Sequence, residues 1–149
     1  MTELAVRKVI TVERSQEDAF QIYTEELGSW WPLATHAVHN EAVDAVFEMK
    51  LGGRLYERTA DGRDADWGYV LAWDPPHGFT ISWKPTLDPD APFTTYEVRF
   101  VSAGDQRTRL ELVHTGWEAF GDAGADTRDG YDSGWDVVLA AFTTGTVRR

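Results

Sequence analysis

The sequence contains no cysteine. Disulfide scaffolds, thiolate metal sites, thiol nucleophiles and dithiol redox chemistry are excluded on that ground alone. Basic residues are scarce as well: 14 Lys and Arg stand against 25 Asp and Glu, a formal net charge of −11. A field of that sign repels polyanions, so no nucleic-acid partner is expected. No apolar run approaches the ~20 residues of a bilayer span, and Met1-Thr2-Glu3-Leu4 lacks the basic and apolar regions of a signal peptide. The expectation is a cytoplasmic protein without membrane insertion. Repeats, linkers and low-complexity tracts are missing too. So are the Gly-x-Ser-x-Gly elbow, the Walker loop and the dinucleotide fingerprint, and no cofactor is expected.

What is present is aromatic. Across 149 residues, 13% are Phe, Trp or Tyr and 42% are hydrophobic, which counters the disorder that strong acidity would otherwise suggest. The length fits one domain, residues 1–149, able to bury a core without staples. Residues 4–13 alternate, with Leu4, Val6, Ile10 and Val12 on one face, and read as a strand. Ser15 then offers a helix N-cap, Phe20, Tyr23 and Leu27 recur at helical spacing, and Gly28 reads as a left-handed stop. Ser29-Trp30-Trp31-Pro32 reads as a second short helix or an aromatic loop.

From about Asp44 the texture is β. Phe47, Met49 and Leu51 alternate, Asp61-Gly62 signals a hairpin, and Trp67, Tyr69, Leu71 and Trp73 occupy one face of the next strand. Phe79, Ile81 and Trp83 alternate, as do Tyr96, Val98 and Phe100, and then Thr108, Leu110, Leu112 and His114. The last third returns to helix, capped by Asp126 or Thr127, striped by Tyr131, Trp135, Val138, Leu139 and Phe142, and ended by Gly145. The predicted class is α+β: an antiparallel sheet of six to seven strands curved around a long C-terminal helix, with two short helices after the first strand.

Several pieces in this order carry a family likeness: Ala19-Phe20, Trp30-Trp31-Pro32, Gly52-Gly53-Arg54, Trp67-Gly68-Tyr69-Val70, Pro75-Pro76, Trp83, His114-Thr115-Gly116 and Gly134-Trp135. Together they resemble the helix-grip fold of the START and birch-pollen-allergen (SRPBCC) superfamily, in the branch named after the activator of the Hsp90 ATPase. The resemblance implies a sheet gripping the C-terminal helix with a largely apolar cavity between them. Members bind sterols, lipids, polyketides or plant hormones, and a few catalyse cyclisation or dehydration. The co-chaperone role belongs to longer members with a further chaperone-binding domain.

The candidate ligand-binding residues are Trp67, Tyr69, Trp83, Tyr96, Phe100, His114, Trp135 and Phe142. Any one of these rings reads most simply as core. As a set on one sheet face and one helical stripe, with N–H and O–H groups that need partners when buried, they suit a cavity with a few polar anchors. His114 shares parity with Leu110 and Leu112, so it points inward as a hydrogen-bonding anchor, an acid or base, or a satisfied core histidine. His36-x-x-His39 with Glu41 and Asp44 lies in an acidic loop without helical periodicity, and no metal is expected there. The aspartates from Asp122 to Asp136 read as a solvated helix face.

The favoured function is binding of a small apolar or aromatic ligand. One alternative is acid/base chemistry on a polyketide-like substrate in the same cavity. Another is a protein-interaction module or co-chaperone, which exposed Trp30 and Trp31 would favour. A small hydrophobic molecule is thus the expected partner, and a protein partner or a homodimer stays open.

Overall fold

A computed structural model of the chain describes residues 4–147. Seven strands, β1 (Val6–Val12), β2 (Ala42–Phe47), β3 (Arg54–Thr59), β4 (Asp64–Asp74), β5 (Gly78–Trp83), β6 (Thr94–Ser102) and β7 (Thr108–Thr115), form one sheet of order β1-β7-β6-β5-β4-β3-β2. Every neighbouring pair is antiparallel. Helices α1 (Gln16–Thr24) and α2 (Leu27–Trp30) come after β1, and α3 (Gly124–Val147) closes the chain. The sheet curls around α3, as the helix-grip expectation requires. No helix among the described residues is long and apolar enough to cross a membrane.

The alternation read in the sequence is the alternation of burial in β5, β6 and β7. Phe79, Ile81, Trp83, Tyr96, Val98, Phe100, Thr108, Leu110, Leu112 and His114 are all buried toward α3. The α3 stripe of Trp135, Val138, Leu139 and Phe142 meets them from the other side. Ser15 caps α1 by accepting the Asp18 backbone N–H at 3.2 Å. Lys8, on the inward face of β1, holds α3 by ion pairs to Asp132 at 3.2 Å and Asp136 at 2.8 Å.

Four local expectations fail, each for a physical reason. Tyr69 does not share a face with Trp67. Where β3 pairs with β4 the register slips so that Trp67 is an extra residue, and where β4 pairs with β5 it slips again at Leu71. Each bulge reverses the parity of the residues after it. Tyr69 and Leu71 therefore turn to the outer face, while Trp73 returns inward and packs 5.3 Å from Phe20. Strand β2 ends at Phe47, so Met49 and Leu51 are exposed in the Glu48–Gly53 turn.

Gly28 and Gly145 are not helix stops. Gly28 lies inside α2, where a Cβ would run into the Asp44 carboxylate and come within 2.9 Å of the Ala45 backbone. Gly145 lies inside α3, where a Cβ would sit 2.8 Å from Trp30 Cβ. Both glycines let a helix approach its neighbour closely. Finally, α3 starts at Gly124 rather than at a capping Asp126 or Thr127. A 3-10 segment, Trp117–Ala123, feeds directly into it, and the Thr127 hydroxyl donates back to the Ala123 carbonyl at 2.7 Å.

Candidate functional site

The interface between sheet and α3 is packed at one end and open at the other. At the open end lies a cleft of about 390 Å³, bounded by the 31–37 loop, the ends of β4 and β5, and the first half of α3. Four tryptophans wall it: Trp31, Trp67, Trp83 and Trp135. Ring centroids stand 4.9 Å apart for Trp31 and Trp67, 5.8 Å for Trp67 and Trp83, and 6.2 Å for Trp31 and Trp135. His36, Asp126, Thr127 and Tyr131 supply polar groups, and Gly130 and Gly134 form the α3 side.

Local bonding fixes this wall. The Trp31 indole donates to the His36 carbonyl at 2.7 Å, folding the 31–36 loop back on itself. Glu57, fully buried on β3, is the anchor beneath. Its carboxylate accepts the Trp67 indole N–H at 2.7 Å and the His39 backbone N–H at 2.7 Å, and also takes the Val38 N–H. A buried carboxylate is tolerated when its lone pairs are filled in this way. Glu57 thus clamps the 38–39 segment to the sheet and sets the Trp67 ring.

His114 stands one layer behind the cleft, fully buried. Its Nδ1 accepts the Trp135 indole N–H at 3.0 Å. That fixes the proton on Nε2, which donates to the Thr94 hydroxyl at 2.7 Å. Burial lowers its pKa to about 3, so the ring is neutral. With both nitrogens hydrogen-bonded inside the fold, His114 orients Trp135 behind the cleft wall.

The eight sequence-predicted residues therefore separate. Trp67, Trp83 and Trp135 line the cleft. Tyr96 and His114 lie behind it, Tyr96 centred 5.2 Å from Trp83 and 5.0 Å from Trp135. Phe100 and Phe142 belong to the packed end, 5.9 Å and 5.4 Å from Tyr23. Tyr69 is on the opposite face of the sheet, 37% exposed, its hydroxyl donating to Asp66 at 2.8 Å. Conversely, Trp31, His36, Glu57, Tyr131 and the two glycines are not among the eight. Tyr131 is legible on the helical stripe, and Gly134-Trp135 in the family likeness. Trp31 belongs to that likeness as well, but it and His36 sit in a loop without periodicity, so no alternation or helical spacing points them inward.

The exposed-tryptophan condition for an interaction module is not met: Trp30 and Trp31 are 5% and 8% exposed. His36 turns its ring toward α3, with Nδ1 2.7 Å from the Thr35 hydroxyl and Nε2 3.8 Å from where a Cβ on Gly134 would lie. His39 is held by its backbone N–H on Glu57. Burial also raises the pKa of the Tyr131 hydroxyl, which stays protonated at the cleft wall.

Comparison with known proteins bears on this geometry. Residues 13–144 match the family described as activator of Hsp90 ATPase homolog 1-like protein. The chain belongs to that family. No curated protein matches the sequence. Among solved structures, an anthrahydroquino-γ-pyrone synthase, Txn09, is similar at 30% identity over 95% of this chain and 96% of its own, with a TM-score of 0.65. The self-sacrificing resistance protein CalC from Micromonospora echinospora is similar at 29% identity over 95% and 93%, with a TM-score of 0.69. An Hsp90 activator from Plasmodium falciparum shares the fold at 19% identity over 74% and 71%, with a TM-score of 0.54.

Proposed function

We propose that the protein binds a small, mostly apolar, uncharged ring compound in the cleft beside α3. The observation that carries this reading is the open, tryptophan-walled space in an interface whose other end is solidly packed. A cleft of about 390 Å³ is in the range of small-ligand sites, and apolar burial at about 25 cal/mol per Å² supplies the affinity. Asp126 in the wall and the net charge of −11 disfavour an anionic ligand. The likeness to a synthase of a fused-ring product supports the same ligand class. Native mass spectrometry of protein purified from its own source tests this. A retained small molecule, absent from the cleft-filling variant Thr127→Trp, is the expected result. Equal retention by both proteins, or none, speaks against it.

A second reading, acid/base chemistry on the bound ring, is favoured by one observation. The His36 imidazole borders the cleft with its Nε2 edge, and the Thr35 hydroxyl holds Nδ1. Here His36, not His114, is the acid or base. His36→Gln would then cost roughly 10²–10⁴ in turnover while leaving ligand affinity within a few-fold. Unchanged conversion of a retained compound by that variant removes the catalytic reading and leaves binding.

A further inference from the structure

Gly130 and Gly134 sit in the middle of α3, where glycine weakens a helix relative to alanine. Nothing in the fold requires them. A Cβ on Gly130 would meet no atom within 4 Å, and one on Gly134 would meet only His36 at 3.8 Å, an ordinary contact. Gly28 and Gly145 differ, since there a Cβ would collide with a neighbouring element. Spaced four apart, Gly130 and Gly134 stack on one helix face and leave a flat backbone strip about 6 Å long along the cleft.

A second, independent feature borders the same space. Trp83 is only 4% exposed, yet its indole N–H has no hydrogen-bond acceptor in acceptable geometry. It lies beside the hydroxyl of Tyr131, and both side chains line the cleft. A buried, unpartnered N–H is costly and calls for an explanation. A ligand oxygen seated against the two rings would give the indole N–H the acceptor it lacks, with the phenol O–H as a second donor.

We propose that the cleft selects a planar fused-ring compound bearing a ring ketone or similar neutral acceptor oxygen, its flat face on the Gly130–Gly134 strip and its oxygen accepting from the Trp83–Tyr131 donor pair. The inference rests on the small-molecule reading above and adds to it the shape and the polar group. Substitutions at the two glycines trade helix stability against cleft shape, and those at Trp83 and Tyr131 change selectivity for oxygen.

The test uses 9-fluorenone and fluorene, two three-ring planar molecules that differ by C=O against CH2, titrated calorimetrically into the full chain. Wild type binds fluorenone about tenfold more tightly than fluorene, the worth of roughly one hydrogen bond. Tyr131→Phe and Trp83→Phe each bring that ratio toward one, the ratio being the readout whatever either variant does to fluorene affinity. Gly134→Ala raises the melting temperature and weakens both probes several-fold, a combination that a packing role for the glycine would not produce. Equal affinity of wild type for the two probes, or a preference that survives both Phe variants, overturns the donor-pair assignment and leaves the broader cleft reading intact. A lower melting temperature with unchanged affinity in Gly134→Ala overturns the glycine strip. Absence of binding by either probe also overturns the inference, whereas the broader reading is judged by the retained molecule in native mass spectrometry.

Discussion

The two ends of the sheet–helix interface are made of the same kind of side chain and behave differently. At the α1 end, Phe20, Tyr23, Phe79, Phe100 and Phe142 interlock with ring centroids 5.3 to 6.2 Å apart. At the other end, four tryptophans at similar spacing wall an open cleft. Aromatic content does not decide between core and cavity. What decides is what faces the rings. The packed end is covered by α1 and by Phe142 from α3, whereas the open end faces the backbone of Gly130 and Gly134 and a loop tied to β3 through Glu57. An aromatic stripe in a sequence thus marks an interface, and the small residues opposite it mark where that interface stays empty.

The contrast predicts different costs at the two ends. Phe142→Ala should be the most damaging, since the ring is fully buried between Tyr23 and Trp30. We expect a loss of about 3–5 kcal/mol in denaturant unfolding. A loss under about 1 kcal/mol would mean that the α1 end is as loosely filled as the cleft. Trp135→Ala should also cost about 3 kcal/mol, through lost burial and the freed Nδ1 of His114. Unlike Phe142→Ala, it should open the cleft and lower ligand affinity.

Glu57→Gln tests what fixes the loop and the Trp67 ring beside the cleft. An amide has one acceptor oxygen where the carboxylate serves three N–H donors, so one donor must face an NH2 group. A cost of about 2 kcal/mol is expected. Hydrogen exchange should rise at the His39 amide while the β6–β7 pairing stays protected. A uniform rise across the sheet would show that Glu57 supports the fold at large rather than the loop.

His114 makes a prediction about pH. Its folded pKa, about 3, lies below the usual value near 6.5, so between those limits the unfolded chain binds the extra proton. Stability should fall as pH drops below about 6.5, by roughly 2 kcal/mol at pH 5 from this residue alone. Comparing wild type with His114→Gln isolates the contribution, since the other acidic groups are common to both. The variant starts less stable at pH 7, with the Trp135 N–H and Thr94 hydroxyl repaired incompletely, and shows the shallower slope. Equal slopes would mean that the histidine charges inside the fold.

Much of this architecture is legible in the sequence, and the failures have a common cause. Period-two burial in β5, β6 and β7, the α3 stripe and the Ser15 cap all arise from local chemistry. Three of the predicted site residues, Trp67, Trp83 and Trp135, do line the cleft. Phe100 and Phe142 share their parity and stripe, but which end of the interface is filled depends on α1, a partner distant in sequence. His114 points inward as parity demands, yet its occupation by Thr94 and Trp135 is a tertiary fact. Register slips are equally invisible locally, and Tyr69 shows the consequence.

Tyr69 gives the smallest expected effect and the sharpest check on those slips. In uninterrupted β4 pairing it would stand beside Trp67 over the cleft, and Tyr69→Ala would remove a buried ring at a cost of about 3 kcal/mol or more. With Trp67 as the extra residue, the Tyr69 ring lies on the outer sheet face and its hydroxyl reaches only Asp66, itself held by Arg54 at 2.6 Å. Losing that exposed contact leaves the Asp66–Arg54 pair in place, so the expected change is below about 1 kcal/mol. Ligand affinity should not move, because the sheet stands between Tyr69 and the cleft. The Asp66 carboxylate, whose pKa the Arg54 and Tyr69 bonds pull down against its partial desolvation, should titrate slightly higher in the variant, readable by carboxyl NMR. A large stability loss together with weakened binding would place Tyr69 back on the inner face and remove the bulge that separates the two sides of β4.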